Sequence, residues 1–139
     1  MMLLEKNTTS VNMAKGGKPY ISSFSVSGGV RWILDTGATH HICNNLDWFL
    51  KHDKINPIMV NLPNGNSIST SVCGDVKISK DFVIQGVLYL PQFEVNLISV
   101  SKLCREQNCS LVFKTGRCTI QARKDLKKIG SASELDGLY

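Results

Sequence analysis

The chain reads Trp-Ile-Leu-Asp-Thr-Gly-Ala at residues 32–38, an apolar run that ends in an acid and a turn of small residues. The apolar residues predict a buried strand over 30–34, which leaves Asp35 at its carboxyl end. Burying a lone carboxylate is costly, so Asp35 must accept hydrogen bonds there or share a proton. This stretch therefore makes Asp35 the first candidate for chemistry.

The residues after Asp35 are suited to a catalytic carboxylate. Gly37 lets the backbone approach closely and supplies an amide donor, and the Thr36 hydroxyl can lock the loop. Ala38 is small enough to lie against a substrate chain. Asp-Thr-Gly in this setting is the signature of aspartic proteases, where two facing carboxylates share one proton. The ionised carboxylate activates water and the protonated one polarises the scissile carbonyl.

Asp-Thr-Gly occurs once in the 139 residues, and no other Asp follows a comparable apolar strand. One chain of this size therefore supplies half of a two-carboxylate site. A symmetric homodimer would complete it, because a two-fold axis sets Asp35 against its own copy. The tripeptide alone also allows another interpretation, an ordinary turn in which the Asp35 side chain caps backbone amides.

Composition limits the other classes of function. The chain carries a net charge of +5 and is 42% hydrophobic, with no apolar run long enough to span a membrane, and its first residues lead us to expect no signal peptide. Basic residues cluster at 123–128, but such clusters are usually solvated, so nucleic acid is an unlikely partner for this domain. Five cysteines without a Cys-x-x-Cys pair indicate free thiols, and we expect no metal and no cofactor.

The chain divides into three segments by composition. We expect a flexible linker over 1–29, the folded domain over 30–121, and a basic linker over 122–139. Many short apolar runs separated by turns predict an all-β fold, a small closed barrel with one short C-terminal helix.

Two local signals shape that domain. Asn64-Gly65 lies between β-prone runs at 58–62 and 67–72, which predicts a hairpin with a type I′ turn. Ser99 or Ser101 is expected to cap the one longer helix, over 102–107, and Asn44 or Asn45 to cap a helical turn at 46–50.

Four motifs between 31 and 121 together resemble the aspartic protease of copia-type retrotransposon polyproteins, a retropepsin-like family. The first is the stretch 32–38 with His41 after it. The others are Leu-Pro-Asn-Gly-Asn at 62–66, Val-Leu-Tyr-Leu-Pro at 87–91 and Asn-Leu-Ile-Ser-Val-Ser-Lys-Leu at 96–103. The resemblance implies a homodimeric retropepsin-like barrel that cleaves its own Gag-Pol precursor inside cytoplasmic virus-like particles.

The resemblance also implies roles for single residues. Asp35 would be catalytic, Thr36 would contact its copy below the dyad, and Gly37 would hydrogen-bond substrate backbone beside Ala38. The remaining implied positions are a flap at Pro63, Asn64 and Gly65, a cleft floor at Leu97 and Ile98, and a dimer strand over 109–113 that contains Leu111, Val112 and Phe113.

The chain departs from retroviral members of this group in two places. Ser99 stands where they have Gly, and His40 and Val100 stand near the places of an Asp and its pairing Arg. With that intrasubunit ion pair missing, we expect the dimer to be held differently. The flap is not Gly-rich, so its closing motion is also expected to differ. Residues 137–139 resemble the start of a segment that precedes integrase.

A second reading is not enzymatic. A decayed or host-retained copy would keep the fold as a catalytically silent dimerisation or interaction module, with the basic tail able to bind RNA. The intact Asp-Thr-Gly favours the protease over this module.

Overall fold

The computed structural model describes residues 22–25, 31–62 and 64–134. In this part of the chain the fold is mostly β with one short α-helix, as predicted. The strands are β1 (Ser22–Ser25), β2 (Arg31–Asp35), β3 (His41–Cys43), β4 (Phe49–Asn61), β5 (Ser67–Ser79), β6 (Phe82–Tyr89), β7 (Asn96–Ser99), β8 (Cys109–Lys114), β9 (Arg117–Ala122) and β10 (Lys128–Glu134). The helix α1 covers Val100–Glu106, and a 3-10 turn covers Leu46–Trp48.

The strand that carries Asp35 lies in the middle of the sheet. The hydrogen-bonded order is β4-β5-β6-β3-β7-β2-β1-β10-β9-β8. Strand β7 runs parallel to β2 and antiparallel to β3, so it separates two strands that follow each other in sequence. This arrangement sets Asp35 directly opposite Ser99, 64 positions further along the chain.

The central strands are covered on both faces, which explains their nearly continuous apolar sequence. Trp32 and Leu34 pack into one hydrophobic cluster, while Ile33 between them packs into a second. In β7 the same alternation sends Leu97 into the second cluster and Ile98 into the first. The period of two in a strand therefore distributes β2 and β7 between both clusters.

The described strands do not close into a barrel, which corrects the closure that we predicted. β4 pairs only with β5, and β8 pairs only with β9, so each leaves one edge open. Closure would need β4 to reach β8 across the whole strand order, and no ladder in the described part of the chain joins them.

The predicted hairpin is present but is longer, and its turn differs. β4 and β5 are 13 residues each, so β4 begins inside the helical turn that we expected at 46–50. Among described non-glycine residues only Asn108 and Leu126 have positive φ, so Asn64 does not meet the type I′ requirement. Instead Leu62 pairs with Asn66 across a three-residue loop that ends in Gly65 at φ +84°. Such a loop sets the left-handed residue last, a position that Gly takes without strain.

Both expected helix caps are found. The Ser99 side chain accepts from the amide of Lys102 at the start of α1, and the Asn45 side chain accepts from the amide of Asp47. After α1, β8 and β9 form a second hairpin. Strand β10 then lies within the segment that we assigned to a basic linker, where it pairs with β9 and β1.

No helix in the described part of the chain is long and apolar enough to cross a membrane. All five cysteines are free thiols.

Candidate functional site

Asp35 ends β2 as a nearly buried acid, with 6% of its surface exposed. The Gly37 amide donates a hydrogen bond of 2.7 Å to Asp35 Oδ1, and the Ala38 amide is a second backbone donor to the carboxylate. Burial raises the pKa of Asp35 to about 6, against the effect of these two donors, which lower it. Asp35 therefore gains and loses its proton near pH 6, above the 3.8 of a free aspartate side chain.

The other three residues of the Asp-Thr-Gly-Ala loop differ in their exposure to solvent. Ala38 is buried, Gly37 is half-buried and Thr36 is exposed. The amide of Gly37 already binds Asp35, so the sequence-based expectation of an amide donor at this position is met within the chain. The exposed Thr36 lies where a second molecule could reach it.

Ser99 connects the loop to the helix behind it. Its hydroxyl donates to the Ala38 carbonyl oxygen over 2.6 Å and accepts from the Lys102 amide at 3.2 Å. A third contact of 3.2 Å joins it to the hydroxyl of Ser101. The loop that carries Asp35 is therefore held from β7.

His41 is completely buried beside Ser99. Its Nδ1 accepts a hydrogen bond of 3.0 Å from the Ser99 amide, so a neutral ring carries its proton on Nε2. Burial, then Lys102 and His40, lower the pKa of His41 to about 3. In the described part of the chain, Nε2 is the one buried side-chain nitrogen or oxygen that lacks a hydrogen-bond partner.

His40 is half-buried, and its Nδ1 lies 2.9 Å from the Thr39 hydroxyl. Burial and the positive charge of Lys102 lower the pKa of His40, while Glu106 raises it. Lys102 in turn forms a salt bridge of 2.9 Å with Glu106 one helical turn on. The ion pair of Lys102 and Glu106 in α1 thus forms part of the electrostatic environment of His40.

The other predicted positions lie apart from this centre. Leu97 and Ile98 are 1% and 0% exposed, so within one chain they support the site from the core. Asn64 and Gly65 are exposed at the tip of the β4–β5 hairpin, and Pro63 lies outside the described residues, as do 137–139.

The predicted dimer strand coincides with β8, at the opposite end of the strand order from the hairpin. Leu111 and Val112 are half-buried, whereas Phe113 is 44% exposed. The open edge of β8 is thus partly apolar, but nothing in a single chain shows what it contacts.

Two residues of the centre were not predicted as part of it. The described residues contain five buried polar or charged side chains, and Asp35, His41 and Ser99 are three of them. A buried polar residue usually marks a specific hydrogen bond. The signal in the sequence was a Ser that ends the apolar run 97–98 and a His that precedes Ile42, but only the fold shows that both reach one loop.

No group of three or more His, Cys, Asp or Glu among the described residues is arranged to hold a metal ion. The centre that the structure does show is a carboxyl on a hydrogen-bonded loop, whose side chains offer acid–base chemistry.

Comparison with known proteins gives one family and two relatives. A family model described as "Pol polyprotein, beta-barrel domain" matches residues 32–109, a segment that contains Asp35, His41, Ser99 and α1. The "Retrovirus-related Pol polyprotein from transposon RE1" of Arabidopsis thaliana is 34% identical over 103 residues, which cover 70% of this chain and 6% of the relative. The corresponding polyprotein from transposon RE2 of the same plant is 34% identical over 88 residues, covering 59% and 6%. No solved structure matches, and the chain spans only a small part of the two polyproteins.

Proposed function

We propose that this chain, which belongs to the Pol polyprotein beta-barrel domain family, is the aspartic endopeptidase of a copia-type retrotransposon polyprotein. Family membership alone gives a domain of such a polyprotein and no activity. The observation that carries the proposal is Asp35, a nearly buried carboxyl with a pKa of about 6 that is held by the amides of its own loop. A carboxyl tuned in this way can act as acid or base near neutral pH.

The proposed site needs two molecules. Asp35 is the one buried acid in the described part of the chain, so the second carboxyl has to come from a copy. A two-fold axis through the site supplies it and sets the exposed Thr36 of each loop near its counterpart. Two carboxyls at that distance cannot both ionise, so one holds the proton.

The proposed reaction is hydrolysis of a peptide bond by water. The ionised Asp35 takes a proton from the water molecule while its oxygen adds to the scissile carbonyl carbon. The protonated copy of Asp35 donates a hydrogen bond to the carbonyl oxygen, which becomes negative in the tetrahedral intermediate. A carboxyl then gives a proton to the nitrogen, the carbon–nitrogen bond breaks, and the dyad again holds one proton.

The proposed substrate is the Gag-Pol precursor that contains the chain itself, cleaved within virus-like particles in the cytoplasm. The two relatives support this substrate because both are Pol polyproteins by name. The β4–β5 hairpin, with Pro63, Asn64 and Gly65 at its tip, is the proposed flap over an extended peptide. The proposed dimer strand is β8.

The test uses a precursor that contains this chain and its flanking segments. Asp35→Asn should abolish processing, because an amide cannot take the proton from water. Asp47→Asn is the matched control, since Asp47 is an exposed acid of the same kind. Asp47→Asn should unfold at a temperature within a few degrees of the wild type, and Asp35→Asn at the same temperature or a higher one, because removing a buried charge stabilises the fold. Continued processing by a folded Asp35→Asn precursor would overturn the protease and favour the silent interaction module.

A further inference from the structure

We propose that His41 and Ser99 are a positioning pair that holds the Asp35 loop against β7. The link to catalysis rests on the proposed function, but the effect on the loop does not. Both residues act through the loop and neither is proposed to touch substrate.

Ser99 lies opposite one end of the loop and is hydrogen-bonded to the other end. Asp35, where the loop begins, is the parallel partner of Ser99 between β2 and β7. Ala38, where the loop ends, gives its carbonyl oxygen to the Ser99 hydroxyl at 2.6 Å. The turn that contains Gly37 is therefore closed over a single residue of the neighbouring strand.

The hydrogen-bonding capacity of the Ser99 hydroxyl is fully used. A hydroxyl has one proton to donate and two positions that accept. The proton goes to Ala38, the closest oxygen, and the Lys102 amide and the Ser101 hydroxyl take the accepting positions. The Ser99 hydroxyl thus has no proton left for a substrate, which is why its role is positioning.

His41 holds the backbone of Ser99 through a hydrogen bond to the Ser99 amide. Its Nδ1 accepts from the Ser99 amide inside the core, where no water replaces a lost partner. The bond needs a ring that is neutral at Nδ1, because a protonated imidazole has no acceptor. The charged or titratable groups that act on this ring are Lys102 and His40, and Glu106 acts on His40. Burial opposes protonation of His41 most strongly, and Lys102 and His40 add to it, so with a pKa of about 3 the ring keeps its acceptor at neutral pH.

Loss of this positioning would affect the two amides that bind Asp35. Gly37 and Ala38 donate to the carboxylate only while the loop keeps its shape, and these donors lower the pKa of Asp35. If the link from Ser99 to Ala38 is removed, the donors are lost while β2 stays buried. The pKa of Asp35 then rises, and fewer sites hold an ionised base at neutral pH.

Four substitutions separate positioning from bulk packing. Ser99→Ala removes the hydroxyl and Ser99→Thr keeps it. His41→Phe removes the acceptor but keeps a planar ring, and His41→Asn offers an amide oxygen near the place of Nδ1. Ser101→Ala is the matched control, because it deletes a neighbouring serine hydroxyl that does not bind the loop.

The first readout is carbon NMR titration of the aspartate carboxyls, with Asp35 assigned by the signal that Asp35→Asn removes. We expect the pKa of Asp35 to lie above its wild-type value in Ser99→Ala and His41→Phe, and near it in Ser99→Thr, His41→Asn and Ser101→Ala. An unchanged or lower value in folded Ser99→Ala and His41→Phe overturns the proposal.

The second readout is kcat/KM against pH. The acid limb should move upward with the NMR titration, with about a ten-fold loss near neutral pH in Ser99→Ala. A wild-type protein without activity would overturn the proposed function alone, because the titration needs no turnover.

A third measurement uses the wild type alone, so that the proposal can be tested even where the variants fail to fold. In the wild type, the amides of Gly37 and Ala38 should exchange with deuterium as slowly as the amide of Ser99, since all three belong to one hydrogen-bonded unit. Exchange of the two loop amides at the rate of exposed amides would overturn the proposal without any substitution.

Discussion

At the scale of single residues, the pKa of Asp35 depends more on the surroundings of the carboxyl than on the residue type. The carboxyl is nearly buried, and desolvation dominates over the two amide donors, so its pKa is about 6 in the folded chain against 3.8 for a free side chain. The folded state therefore binds more protons than the unfolded state between those two values. It follows that ionised Asp35 opposes folding at neutral pH.

This gives a prediction for stability. A carboxyl with a raised folded pKa favours folding below pH 3.8, and that contribution is lost as the pH rises through 6. Asp35→Asn should therefore raise the free energy of unfolding at pH 7.5 by up to about 3 kcal/mol, and by little below pH 4. Urea unfolding at a series of pH values, at low protein concentration, measures the difference. Asp47→Asn is the control, and an equal effect of both variants at all pH values would contradict this account.

At the scale of elements, the long β4–β5 hairpin depends on one close contact. A Cβ at Gly74 would overlap the carbonyl oxygen of Lys51 and lie 2.8 Å from the Phe49 ring. Register shifts occur in both ladders next to this point, so β5 passes here with no room for a side chain. Gly65 at the hairpin tip has nothing within 4 Å of its would-be Cβ, and only its positive φ favours glycine there.

Substitution of the two glycines by alanine is therefore expected to cost different amounts of stability. Gly74→Ala should destabilise the fold by about 1–3 kcal/mol or more, because the atoms in the way are mainly backbone. Gly65→Ala should cost about 1 kcal/mol from backbone strain alone. Denaturant unfolding of the two variants measures both values. Equal losses would show that β5 has room at Gly74.

The edge strand β8 gives a second prediction at this scale. Phe113 is 44% exposed on an edge that no described strand covers. If β8 is the dimer strand, Phe113→Asp should set like charges against each other and shift sedimentation from dimer to monomer at micromolar concentration. Leu126→Asp is the control, because Leu126 is 67% exposed and lies outside β8. Dissociation by both variants, or by neither, would place the contact elsewhere.

At the scale of the whole molecule, the described strands leave two sheet edges open, and Asp35 is the one buried acid among the described residues. In the proposed enzyme, that acid is half of a two-carboxylate site, so two chains have to assemble. Under the proposed function, catalysis depends on concentration as dimerisation does, so activity per molecule should rise with protein concentration and then level off.

Mixing tests the shared site directly. When wild type and Asp35→Asn are mixed in equal amounts, random pairing should reduce activity per wild-type subunit to about half. Asp35→Asn that also carries Phe113→Asp should have no effect if β8 is the contact. Activity that the mixture leaves unchanged would show a site that is complete within one chain.

The sequence by itself determined the features that depend on neighbours along the chain. The apolar run before Asp35, the turn after it, the hairpin around Gly65 and the Ser99 cap follow from alternation, turn chemistry and capping, which act over a few residues. The same local signals misjudged the hairpin turn. They also missed β10, whose Gly, Ser and Ala have little strand preference and form a strand because β9 and β1 lie on either side.

Only the tertiary structure decided what surrounds Asp35. The bonds from Ser99 to Ala38 and from Ser99 to His41 join residues 61 and 58 positions apart, and the parallel pairing of β2 with β7 brings them together. Desolvation likewise depends on every strand packed around the carboxyl, so a pKa of about 6 could not be derived from the tripeptide. The identity of the acid is a local property of the chain, whereas its chemistry is set by contacts that exist only after folding.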